Sequence, residues 1–136
     1  MGAILYIEDD KIAAMIFCTV VNEANIRTQV DCVSDGDKAL EYLHQTGEYA
    51  ATELPNIIFL DLNLPQIDGW QVLVEIKHEK RLRSIPVVIL STSCRPVDKQ
   101  RAYDLGASRY ISKPYRLADF VTEVGSAYGE LVGHST

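Results

Sequence analysis

Short apolar runs that each end on a charged or hydroxyl residue constrain this chain most. Ala3-Ile4-Leu5-Tyr6-Ile7 leads into Glu8 and Asp9, and Ile57-Ile58-Phe59-Leu60 into Asp61. Val87-Val88-Ile89-Leu90 leads into Ser91, and Tyr110-Ile111-Ser112 into Lys113. Runs of this length and polarity read as strands buried on both faces, the habit of parallel sheets. Parallel neighbours would bring all of these polar residues to one sheet edge, where open α/β sheets carry their chemistry. Carboxylates gathered there repel one another unless a cation lies among them. The pattern predicts a metal site with an aspartate nucleophile, a hydroxyl and a lysine around it.

Helical signals separate the runs. Residues 10–24 carry Ile12, Met15, Ile16 and Val20 at helical spacing, with Asp10 available as N-cap. Residues 27–33 alternate as a weaker strand near an edge, and Asp35 or Asp37 starts a helix that ends near Gly47. Residues 48–55 read as a loop closed by Pro55. Asp68-Gly69 opens a helix bearing Val72, Leu73 and Ile76, and Pro96 opens another that Gly106 terminates. A short strand over 108–112 precedes a last helix with Leu117, Phe120, Val121, Val124 and Tyr128. Strand and helix alternate five times, which predicts an α/β fold. It is a (βα)5 doubly wound parallel sheet with right-handed crossovers and the flavodoxin-like order 2-1-3-4-5. Strands 1 and 3 then flank the switch point.

Size and charge bound the function. The 136 residues suit one domain, with a core over about 3–130 and no output domain after the last helix. A net charge of -6 without a run of Lys or Arg disfavours nucleic acid as a partner. The opening run is too short for a membrane span and lacks a basic leader, so the expectation is a cytoplasmic protein without membrane contact. Cys18, Cys32 and Cys94 show no ligand spacing; Cys18 and Cys32 are expected as small core residues, and Cys94 in a loop. The three histidines have no partner at ligand spacing and are expected at the surface.

Taken together, Leu5-Tyr6-Ile7-Glu8-Asp9-Asp10, Phe59-Leu60-Asp61-Leu62-Asn63-Leu64-Pro65, Asp68-Gly69, Val88-Ile89-Leu90-Ser91 and Tyr110-Ile111-Ser112-Lys113-Pro114 resemble the receiver domains of response regulators, the CheY-like family. The stretches around Asp61 and Ser91 look most like stand-alone single-domain regulators, some serving phytochrome-type kinases. The resemblance implies a two-component switch. Asp61 would accept a phosphoryl group from a histidine kinase or phosphotransfer protein. Mg2+, or Mn2+ in its place, would be held by Glu8, Asp9, Asp61 and the backbone carbonyl of Asn63. Lys113 would pair with the phosphoryl group, and Ser91 would hydrogen-bond it. Tyr110 would be the aromatic that turns inward when Ser91 moves. Asn63 and Ser93 would tune phosphoryl lifetime, and the Lys113–Pro114 bond would be cis. The chain would be a signalling module that assists its own phosphorylation and dephosphorylation, not an enzyme with its own substrate.

By the same resemblance, the fourth helix, fifth strand and fifth helix would form the surface for an unknown downstream protein or for a homodimer. Arg95, Lys99, Arg101, Arg109 and Arg116 would supply cations there. A relay or sink for phosphoryl groups is the alternative role. An aspartyl phosphatase of the haloacid dehalogenase type fits less well: it needs a second Asp where Asn63 stands, and its nucleophile lies on the first strand. An EF-hand reading of Asp61-Leu62-Asn63 fails at Gln66 and Val72. Asp10 and Asp68 are read first as helix caps, and Trp70 and Tyr115 as packing or interface residues.

Overall fold

The computed structural model describes residues 2–62 and 69–133. Five strands, β1 (Ile4–Ile7), β2 (Val30–Val33), β3 (Ile57–Asp61), β4 (Val87–Ser91) and β5 (Arg109–Ser112), alternate with five helices. The helices are α1 (Lys11–Glu23), α2 (Gly36–His44), α3 (Gly69–His78), α4 (Pro96–Asp104) and α5 (Leu117–Leu131). All strand pairs are parallel, in the order β2-β1-β3-β4-β5. The expected fold and strand order are therefore present.

Strand alternation builds two cores. Ile4, Tyr6, Ile57, Phe59, Val88, Leu90 and Ile111 face α1 and α5, packing on Phe17, Val20, Phe120 and Val124. Leu5, Ile7, Ile58, Leu60, Val87, Ile89 and Tyr110 face the other side, against Leu43, Val72, Leu73, Ile76 and Ala102. Every residue of β3 and β4 is buried, as central parallel strands require.

Caps explain most helix boundaries. Asp10 accepts from the amide of Ile12 at 2.9 Å and starts α1. Asp35 accepts from Lys38 N at 2.8 Å and starts α2. That helix ends at His44, before the expected Gly47, because Gln45 turns left-handed at φ 57°. Residues 47–49 then form a 3₁₀ turn within the expected loop. Pro96 opens α4, and Gly106 follows it at φ +102°, where an added Cβ would crowd the Lys77 stem. The strand expected from residue 27 begins only at Val30, because its partner β1 starts at Ile4, which pairs with Val30.

Two expectations about α1 fail for one reason. Ile12, Met15 and Ile16 are 68, 70 and 44 % exposed, and the buried face is Phe17, Val20 and Val21. Phe17 stacks on Tyr6 with ring centroids 4.1 Å apart, and this large contact sets the rotation of the helix. Cys18 is thereby carried out of the core; Cys32 lies on the edge strand β2, and both are exposed. Cys94 is exposed, as expected.

Candidate functional site

The strand directions bring Glu8, Asp61, Ser91 and Lys113 to the C-terminal edge of the sheet, and alternation sorts them. Glu8 continues the side of Ile4 and Tyr6, Asp61 that of Ile57 and Phe59, and Lys113 that of Ile111. These three converge. Lys113 Nζ donates to Asp61 Oδ2 at 2.5 Å and lies 3.9 Å from Glu8 Oε1. Glu8 and Asp61 are buried. The backbone holds the lysine there, since Lys113 N donates to Ser91 O at 2.7 Å.

One ammonium does not balance two buried carboxylates. Burial, and then the charge of Asp61, push the Glu8 carboxyl up to about 7, against the pull of Lys113. Burial, and then the charges of Glu8 and Asp61, raise the neighbouring Tyr6 hydroxyl well above its ordinary range. Asp9 falls one step further along the chain, beyond the end of β1, and is exposed at the rim. Among the described residues, no three His, Cys, Asp or Glu side chains converge as a metal-binding group. The three-carboxylate cluster expected from sequence is therefore a close pair, Glu8 and Asp61, with Asp9 beside it. An oxygen-only, anionic donor set of this kind fits a hard divalent cation. Asn63 and Asp68, expected as a ligand and a cap, lie outside the described residues.

The other face of the same edge carries hydroxyls. Ser91 is buried, and its Oγ accepts from Ser93 N at 3.0 Å. Tyr110 is already turned inward, 8 % exposed, and its hydroxyl donates to Ser93 O at 2.9 Å. Ser112 Oγ donates to the same carbonyl at 3.0 Å. Ser93 Oγ donates to Asp98 Oδ2 at 2.5 Å and accepts from Arg95 N at 3.2 Å. Ser93 thus ties Ser91, β5 and the first turn of α4 together. Ser112 and Asp98 were not singled out from sequence. The signal for Ser112 was its i+2 spacing from Tyr110, which puts both hydroxyls on one face of β5.

The surrounding expectations divide. The Lys113–Pro114 bond is trans, not cis: no cis peptide bond occurs among the described residues, and trans is the lower-energy form of an X–Pro bond. Trp70 stands at the start of α3 under the Arg101 guanidinium, whose carbon lies 4.3 Å from the ring centroid. Arg109 pairs with Glu130 at 3.2 Å, and Arg116 with Asp119 at 3.8 Å. Three of the five cations expected to face a partner therefore already have contacts within the chain. His44 pairs with Glu79 across α2 and the turn after α3.

Comparison with known proteins agrees with this arrangement. The response regulator receiver domain model matches residues 4–125. The chain is 40 % identical over 116 residues to the response regulator Rcp1 of Synechocystis sp., covering 85 % of this chain and 79 % of that protein. The crystal structure of the phosphorylated cyanobacterial phytochrome response regulator RcpA superposes with a TM-score of 0.87 at 36 % identity, covering 100 % of this chain and 98 % of that one. The Mn(2+)-bound form of Rcp1 gives 0.86 at 35 % identity, with 100 and 98 % coverage. This chain belongs to the receiver domains of two-component response regulators.

Proposed function

We propose that Asp61 is the phosphoacceptor of this receiver and that the chain acts as one switching unit. The observation that carries the reading is the buried Asp61 carboxylate held by Lys113 beside Glu8, at the sheet edge that also presents Ser91. An Asp61 oxygen attacks phosphorus as the phosphorus–nitrogen bond of a kinase or phosphotransfer phosphohistidine breaks. The imidazole leaves and takes up a proton. Lys113 keeps its charge beside the new phosphoryl group and limits the repulsion from Glu8. Glu8, Asp9 and Asp61, with the Asn63 carbonyl expected beside them, would hold a divalent cation, Mg2+ or Mn2+, which would supply charge neutralisation during the transfer.

The switch runs through Ser91. Its Oγ accepts from Ser93 N, and it can turn to donate to a phosphoryl oxygen. That motion changes the hold on Ser93, to which Tyr110, Ser112 and Asp98 are bonded. In this reading the signal passes to α4 and β5 through those hydrogen bonds. A phosphoryl group carries about -1.5 to -2 charge, enough to drive such a rearrangement.

The donor is a histidine kinase, of the phytochrome type by likeness to RcpA. The acceptor of the signal is a protein meeting the α4–β5–α5 surface. Kinases of this kind draw on ATP, which puts the reaction in the cytoplasm; among the described residues no helix is long and apolar enough to cross a membrane.

Intact mass after incubation with acetyl phosphate and Mg2+ tests the reading. A single phosphoryl adduct is expected on the wild type and none on Asp61→Asn. Equal labelling of the two would remove Asp61 as the acceptor.

A further inference from the structure

The contact between Trp70 and Arg101 lies outside the Ser93 hydrogen-bond network and joins the Asp61 edge to α4 by a second route. Gly69, the first residue of α3, donates its amide to Leu62 O at 3.3 Å. A Cβ at Gly69 would lie 2.6 Å from Leu62 Cα and 2.8 Å from Asp61 O, so the start of α3 rests directly on the backbone of Asp61 and Leu62. Trp70 is the next residue, half-buried against the core. The Arg101 guanidinium carbon stands 4.3 Å from its ring centroid, within the range of a cation–π contact. The two helices differ in how firmly they are seated. α3 buries Gly69, Val72, Leu73 and Ile76, whereas Ala102 is the one buried residue of α4. Val97 and Tyr103 of α4 stand in solvent. Asp98 ties its first turn to the Ser93 hydroxyl, and Arg101 lies in its last turn. A helix with so little burial depends on such side-chain ties for its position.

We propose that the Trp70–Arg101 stack is a latch that holds the last turn of α4 to α3 and lets α4 sense the Asp61 backbone independently of Ser91. The trigger rests on the reading of Asp61 as the phosphoacceptor; the latch itself is a property of the unmodified chain. A phosphoryl group on Asp61 brings new charge and new contacts to the Asp61–Leu62 backbone. Gly69 bears on that backbone with no side chain between, so a shift there passes to Trp70, the next residue. The stack is sensitive to such a shift, because the attraction requires the cation to stay over the ring face. α4 is then controlled at both ends, through Asp98 in its first turn and through Arg101 in its last.

Hydrogen exchange of the α4 amides, read by mass spectrometry on the full chain, tests the latch. An exposed cation–π contact corresponds to about a two- to five-fold change in an equilibrium. In the unphosphorylated protein, Arg101→Gln should speed exchange over residues 96–105 by about that factor. Trp70→Leu should speed it at least as much, and adding Arg101→Gln to Trp70→Leu should bring no further increase. Arg101 is exposed, so Arg101→Gln keeps the fold, which circular dichroism checks. Trp70 is the single tryptophan of the chain, and its emission should change in Arg101→Gln. After acetyl phosphate and Mg2+, with the adduct confirmed by intact mass, α4 exchange should change in the wild type and change less in Arg101→Gln at equal labelling. Unaltered α4 exchange in Arg101→Gln, additive effects of the two substitutions, or an equal response to phosphorylation in both proteins overturns the latch. Absence of an adduct on the wild type would instead remove the Asp61 reading, and exchange in the unmodified variants would still decide the latch.

Discussion

Glu8 shows how one residue can record the electrostatic state of the whole site. Its carboxyl titrates near 7 in the folded chain and near 4.5 in the unfolded one, because burial and Asp61 disfavour its charge. Between these values the native state holds a proton that the unfolded state has released. Raising the pH through this window therefore removes stability. For the metal-free protein, the free energy from urea melts should fall by on the order of 2 kcal/mol between about pH 5 and 7.5. Glu8→Gln should flatten that slope, and an unchanged slope in the variant would assign it to another group. The identity of Glu8, Asp61 and Lys113 as a group was legible in sequence, because each follows an apolar run. The exclusion of Asp9 from the buried pair was not, since it depends on where β1 stops.

At the scale of an element, the connection from β4 to α4 is held by hydroxyls on its neighbour. Tyr110 and Ser112 both donate to Ser93 O, so β5 fixes this loop through two bonds to one carbonyl. Removing the Ser112 hydroxyl leaves the Tyr110 bond in place and costs about 1 kcal/mol of loop restraint. Ser112→Ala should change the decay rate of the phosphorylated form a few-fold while leaving the overall fold intact. An unaltered decay, measured by loss of the phosphoryl adduct, would show that Tyr110 alone controls the loop. The helix starts at Asp10 and Asp35 were readable from capping preference alone. The rotation of α1 was not: the spacing of Ile12, Met15, Ile16 and Val20 competes with that of Phe17, Val20 and Val21, and stacking on Tyr6 decides between them.

Across the molecule, α4 and the start of α5 leave large apolar groups in solvent. Val97, Tyr103 and Leu117 are 58, 45 and 49 % exposed, and Tyr115 is fully exposed. Arg101, Arg109 and Arg116 are engaged within the chain, so apolar contact is the larger resource of this face for holding a second molecule. If the phosphorylated protein pairs through it, Tyr103→Ala with Leu117→Glu should shift sedimentation equilibrium toward monomer at least ten-fold. Phosphorylation by acetyl phosphate should be unaffected. Persistence of the dimer would move the interface elsewhere.

The sequence by itself determined the alternation of five strands and five helices, the parallel order, and the gathering of Glu8, Asp61, Ser91 and Lys113 at one edge. These follow from local patterns: apolar runs, capping side chains, and the connection rules of parallel sheets. Tertiary structure decided which side chains meet. It turned Cys18 and Cys32 outward, stood Asp9 at the rim, and joined Ser112 and Asp98 to the Ser93 hub. The physical reason is that these outcomes depend on helix rotation and strand register, both set by packing between segments distant in the chain.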